Sequence, residues 1–456
     1  MESPKLSEYE QQRLANMKRN ADKLAALNIH STITQLKSIS KRQKKTCIKK
    51  PRDASSQVVR SSLRCRGMAP QPQEFPTKTP KTSQSPIHIP GHIRMRDSFV
   101  DNNGLDGCKL IETILGVSKN SYVSNSTDNA LEVTEKGNNS NALDSLRLGP
   151  QKIARFSREK IFSLRFLPSN EKRMTVIGGD NGNLGIWDVD SVDDEDKMYI
   201  YRPHSAPVSG IVFQHFSMSK IFTSSYDGCI RLMDVEREIF DLAYYGDHSI
   251  CSLSQRPDGV KSLYFGEAQG KVNVWDETAG KLSSLLSLHE GRINSIDFNA
   301  HNTNIMATSS SDGTACIWDL RKIVVDKPEP ISTVNHKRVV YSALFSPSGN
   351  LLATTSIDHT VGLLSGANYD CVSMVYHPNA ISNPIRGSWG WDDYYIFIGN
   401  IKGGIDAIST VSNRCIDTLR SPEMSAIPRF FEKHPGNIGM LAGVTNYGLV
   451  YLWTPS

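Results

Sequence analysis

The chain has 456 residues, of which 38% are hydrophobic, low enough that a sizeable part is not expected to pack. No apolar run reaches the roughly 18 residues a membrane span needs, and the amino terminus opens polar and charged rather than with an apolar leader. Eight cysteines stand singly without a Cys-x-x-Cys pair, which argues against a disulfide framework and a structural zinc and for a reducing compartment. The net charge of +5 is uneven: Lys37 to Arg66 holds eleven Lys or Arg and one acid, Asp53, leaving the rest at −5. A concentrated basic stretch on a mildly acidic body suggests an import signal, a nucleic-acid-binding arm, or both.

Residues 1–36 are expected to form an amphipathic helix over 7–28. Ser7 and Glu10 make a capping box, and Leu14, Met17, Ala21 and Leu24 recur at helical spacing as one narrow stripe suited to a partner. Residues 37–149 read as a disordered linker, first basic, then punctuated by prolines, then rich in Asn and Ser, with too little apolar surface to offset ordering. Within it Lys41, Arg42, Lys44 and Lys45, followed by Lys49, Lys50 and Arg52, fit a nuclear import signal.

From 150 to 456 the character changes to short alternating strands broken by Gly, Asp and Asn. Trp187, Met233, Trp275, Trp318, Leu364, Ile408 and Trp453 each close a strand, at intervals of 46, 42, 43, 46, 44 and 45 residues. A period near 44 with Trp-Asp strand ends is the mark of a WD repeat, so the fold expected is all-β, a seven-bladed WD40 β-propeller. Phe166, Phe213, Phe298, Phe345 and Trp389 stand where inner strands end, as filling between blades. His204, His248, His289, His336 and His377 open blades two to six. Blade four alone carries the full His289, Thr308, Asp312 and Trp318 set, a hydrogen-bonded chain that gives these histidines structural work rather than metal or catalysis. Only three residues follow Trp453, too few for an outer strand, so residues near Lys152–Phe156 are expected to complete blade seven.

No phosphate loop, nucleophile elbow or zinc spacing is present, and the acids from Asp188 to Asp196 read as a solvated loop. The expectation is a protein that is not an enzyme, with no cofactor and no metal. Since propellers host both enzymes and scaffolds, this rests on the missing site and not on the fold.

Two sets of residues are expected to bind partners. Ser311 to Arg321, with Asp312, Trp318, Asp319 and Arg321, resembles the docking box of substrate receptors for cullin-4 ubiquitin ligases. In those receptors the arginine binds the adaptor, damaged-DNA-binding protein 1; here Arg321 follows a third strand and should emerge on the propeller's bottom face. Lys160, Arg292, Lys337, Arg338 and Arg386 stand in loops entering inner strands. They should form a positive rim on the opposite face, able to hold duplex DNA by phosphate contacts without base reading.

Glu8 to Asn20 with Leu24 to Leu27, Arg60 to Arg64, Ser224 to Gly228 with Ile230 and Arg231, and Tyr341 to Gly349 resemble the WD repeat protein 76 family. The resemblance spares only the middle linker. It implies a nuclear protein that associates with chromatin and damaged DNA, with some members joining cullin-4 ligases, and a relation to damaged-DNA-binding protein 2. His377 to Arg386 departs from the family by lacking a Gly-Arg-Trp, and no aromatic wedge is visible there, so lesion flipping is not expected while general DNA or chromatin binding is. The reading is a nuclear DNA- or chromatin-binding propeller, monomeric within a larger complex, acting as receptor or scaffold for a cullin-4 ligase. The alternative is a chromatin or RNA-processing scaffold without a ligase role.

Overall fold

The computed structural model describes residues 91–100, 107–124, 143, 145–149, 152–191, 198–215, 217–378, 385–424 and 426–455, together with residues 15, 17–19 and 22. The chain divides into Met1–Gln84 and Ser85–Ser456. In the first unit Ala15, Met17, Lys18, Arg19 and Asp22 are helical and exposed, within the helix expected over 7–28. The basic arm lies outside the described residues.

The second unit is a seven-bladed β-propeller, built as seven antiparallel sheets. The inner strands are Ile161–Phe166, Val208–Phe213, Ile250–Gln255, Ile293–Phe298, Val340–Phe345, Ser388–Trp389 and Pro428–Lys433. The turn between second and third strands explains the glycine spacing. Gly182, Gly228, Gly270, Gly313, Gly403 and Gly448 all have positive φ there, and His359 at +68° takes that position in blade five. A Cβ at Gly270 would come within 1.9 Å of the His289 carbonyl oxygen, so backbone packing as well as φ demands glycine.

The core lies between blades. Trp187, Trp318 and Trp453 are fully buried, and the expected filler Trp389 is buried with its indole N–H donating to Leu344 O at 2.8 Å. Trp391, two residues on, packs partly buried against the blade six and seven core. Blade four carries its full chain of bonds. His289 Nδ1 meets Asp312 Oδ2 at 3.1 Å, Nε2 meets Thr308 Oγ1 at 2.7 Å, and the Trp318 indole N–H donates to Thr308 Oγ1 at 2.8 Å. His204 reaches Asp227 in a turn and Thr223 in a strand, and His377 reaches Asp406 in a strand, so these rings tie the elements of their own blades.

Closure comes from ahead of blade one, as expected, through two short pieces. β2 (Leu146–Arg147) and β3 (Ile153–Arg155) both pair with Leu449–Pro455, the third strand of blade seven. Phe156 then inserts beside blade one, where a Cβ on Gly179 or Gly185 would collide with its ring.

The boundary at 150 needs correction, because the propeller gathers residues from about 91 onward. β1 (His92–Arg94) adds a fifth strand to blade two, pairing with Ile239–Tyr245. The chain then crosses to blade one, where Val100 N donates to Ile200 O at 2.8 Å. Helix α1 (Gly107–Ser124) buries Leu110, Ile114 and Val117 in the same core as Leu184, Tyr199 and Met233. Leu110, Ile114 and Val117 are spaced i, i+4, i+7, one face of a helix. Averaged over an Asn- and Ser-rich stretch, that short apolar stripe is diluted below notice.

Candidate functional site

Antiparallel pairing defines the two faces. Ile293, at the start of blade four's inner strand, pairs with Ser310, while Ile305 pairs with Asp319 at the far end. Lys160, Arg292 and Arg386, ahead of inner strands, therefore share one face, called top. Arg321, after Asp319, is on the other.

The top of the channel is built by a repeated irregularity. In six blades the pairing of the inner strand slips by one residue near its start, leaving Phe162, Ser209, Cys251, Asn294, Tyr341 and Arg429 as bulged residues. A bulge re-aims the side chain it carries, and all six line one cavity of about 230 Å³, with Arg386 supplying blade six. Lys160, Arg292, Tyr226, Phe430 and Asn446 complete the wall, and no carboxylate is among the described lining residues.

The cations are held by neutral partners. Arg292 Nε donates to Asn294 Oδ1 at 2.9 Å, Arg386 Nη2 donates to Asn294 O at 2.9 Å, and Arg429 Nη1 donates to Asn446 Oδ1. Arg386 and Arg429 also lie over the Phe430 ring, 5.1 Å and 4.8 Å from its centroid, a cation–π arrangement. Burial, and then the neighbouring Arg386 charge, pull the Arg429 guanidinium down to about 10. Burial likewise lowers Arg386, with Arg165 and Arg292 adding to it. The structure thus brings Lys160, Arg292 and Arg386 together. Lys337 and Arg338 are exposed on the loop before Val340 and do not line this cavity. Arg429 was not among the expected cations, although it occupies the residue before Phe430 in blade seven's inner strand, the position its bulge re-aims.

Deeper in the channel, Arg165 Nη1 donates to Glu432 Oε2 at 2.7 Å. Asp297 accepts the Phe345 N–H at 2.8 Å, and burial pushes its carboxyl up to about 6. An unfolded Asp titrates near 3.9, so the native state holds this proton more tightly. Stability from this group is full below about pH 4 and lost as pH rises through about 6. Asp297→Asn keeps an acceptor for Phe345 without the charge, and should gain on wild type between those values by on the order of 2 kcal/mol. Melting curves of both proteins at pH 4, 5, 6 and 7 test this; a constant difference between them contradicts it.

On the bottom face, Arg321 projects with its side chain 60% exposed, forked onto Asp319 by Nε and Nη2 bonds of 2.9 Å each. That bond from Arg321 holds the Asp319 carboxyl down to about 2. The expected docking set needs correction here. Trp318 is 2% exposed, and Asp312 caps the turn at the opposite end of strand Thr314–Asp319, so both hold the blade instead of joining Arg321 on a surface. The import residues Lys41, Arg42, Lys44, Lys45, Lys49, Lys50 and Arg52 lie outside the described residues.

Architecture and repeat chemistry together define a seven-bladed WD40 β-propeller. The family model "WD domain, G-beta repeat" matches residues 280–319 and 328–363. Over most of its length the chain is similar to WD repeat-containing protein 76 of Xenopus laevis, 27% identical, covering 77% of this chain and 62% of the relative. It is also similar to WD repeat-containing protein 76 of Rhinolophus ferrumequinum, 28% identical, covering 77% and 57%. The DNA damage-binding protein CMR1 of Scheffersomyces stipitis is 25% identical, with 70% of each chain covered. The chain thus spans about three fifths of the length of the two vertebrate relatives.

Proposed function

We propose that this protein is a nuclear DNA- or chromatin-binding scaffold in the response to DNA damage, gripping duplex phosphates with its top face. The observation that carries this is the channel mouth, where cations from several blades converge on a wall with no carboxylate among its described residues. The relatives' name, DNA damage-binding protein, supports the same reading. Affinity is electrostatic and independent of sequence, since no described helix or ribbon on this face suits a major groove. The basic arm at 37–66 adds contacts and carries the import signal. The chemistry is binding alone, with no reaction and no cofactor. Lys160, Lys337 and Arg338 are exposed, so replacing all three with Ala leaves packing alone and should weaken duplex binding at least tenfold; filter binding at fixed salt checks it.

The bottom face supports a second role, docking through Arg321 onto damaged-DNA-binding protein 1 within a cullin-4 ligase, with this chain as substrate receptor. A planar guanidinium at the end of an exposed turn suits paired bonds to a carboxylate or carbonyls. Truncating such a charged contact costs about 2–5 kcal/mol, so Arg321→Ala should reduce adaptor recovery at least tenfold while circular dichroism shows the propeller still folded. Equal recovery favours the alternative, a chromatin or RNA-processing scaffold without a ligase role. The forked Asp319 pair favours that alternative, because it already takes two of the five guanidinium N–H donors.

A further inference from the structure

The channel mouth differs from the exposed rim in being tied together by its own hydrogen bonds, with no carboxylate among its described lining residues. Asn294 organises two of its arginines at once, taking Arg292 on its side-chain oxygen and Arg386 on its backbone oxygen, while its own amide donates to Val340 O at 2.8 Å. Backbone joins the other pair, since Arg386 N donates to Arg429 O at 2.9 Å. The Nε of Arg386 is buried and has no hydrogen-bond partner among the described residues. A buried donor left without a partner is costly, and like charges held side by side repel. An anion among them would relieve both. Such guanidiniums present N–H groups in a planar fork that matches phosphate oxygens.

We propose that the mouth is a built site for one phosphate group, held by Arg292, Arg386 and Arg429, with Lys160 at its edge. The cavity, about 230 Å³, has room for a tetrahedral anion and a few waters at about 30 Å³ each. The inference deepens the top-face reading by naming the group that enters. That group is a backbone phosphate of nucleic acid or a free phosphate or pyrophosphate of the same chemistry.

The test uses the full chain and pyrophosphate as probe, at ionic strength held constant with chloride. Wild type should bind with a dissociation constant on the order of 1 mM or tighter and melt at higher temperature as pyrophosphate is added. Arg386→Gln and Arg429→Gln should each weaken binding at least tenfold, and Lys160→Gln by less. Melting and circular dichroism show whether each variant is folded. Should Arg386→Gln or Arg429→Gln fail to fold, Arg292→Gln and Lys160→Gln carry the test. Competition by duplex DNA against pyrophosphate assigns the site to nucleic acid, whereas binding of pyrophosphate without competition assigns it to the free anion. Pyrophosphate binding without any DNA binding leaves the site standing and removes the DNA reading. Equal pyrophosphate binding by folded variants and wild type, or none by wild type, overturns the site even if DNA binds.

Discussion

Deletion of residues 150–157 should lower the melting temperature of this protein by about 10 °C or more. The deleted piece contains β3, whose Ile153, Ala154 and Arg155 pair with Tyr451, Val450 and Leu449. Its removal leaves that stretch of blade seven as an open edge of backbone donors and acceptors. It also removes Phe156, which is buried among Ile161, Trp187, Val444 and Val450 and so packs blade seven onto blade one. Truncating a buried Phe to Ala typically costs about 3–5 kcal/mol, and about 2–4 °C of melting temperature follows each kcal/mol in a large domain. Phe156→Ala alone should therefore reproduce a large share of the loss. The seam has a second tie, His434 Nε2 to Ser169 O at 3.1 Å, so the ring should weaken without falling apart. A melting curve unchanged by the deletion would mean that blade seven closes in some other way.

The second large effect is on DNA. Each phosphate neutralised on duplex DNA steepens the fall of log affinity by roughly 0.9 per log unit of salt. Alanine at Lys160, Lys337 and Arg338 should therefore flatten the slope by up to about three such increments, if each holds one phosphate. Deleting 37–66, with eleven Lys or Arg, should flatten it further. The two losses should add if the arm and the rim touch different phosphates.

Much of the propeller is legible in the sequence because its repeat unit is chemically marked. The strand-closing Trp187, Trp275, Trp318 and Trp453 and the glycines five residues before them reflect two strict demands, a buried ring and a left-handed turn. The closing strand is legible by elimination, since an unpaired blade is costly. Helix α1 is not, because its five aliphatic residues from Leu110 to Val117 are a short run beside a long Asn- and Ser-rich stretch, and gain their meaning only from the core that Leu184, Tyr199 and Met233 make for them. The mouth is half legible. Lys160, Arg292 and Arg386 can be placed by counting back from strand ends, but Arg429 points into the channel only because a bulge turns it there. The bulge is a property of pairing, and a single strand's alternation does not display it. Asp312 and Trp318 show the opposite failure: adjacent in a motif, they are separated from Arg321 by burial and by the length of a strand.

The most direct test of the central claim, that the top face grips nucleic acid through phosphates, is duplex-DNA affinity measured against salt in four proteins: wild type, the 37–66 deletion, the Lys160/Lys337/Arg338 triple alanine variant, and the two combined. The account predicts that the arm deletion still binds, with a reduced slope, and that the combined variant binds more weakly and with a flatter slope than either parent. If the triple variant matches wild type in both affinity and slope, and the combined variant matches the arm deletion, the exposed rim of Lys160, Lys337 and Arg338 does not touch DNA, which contradicts the account.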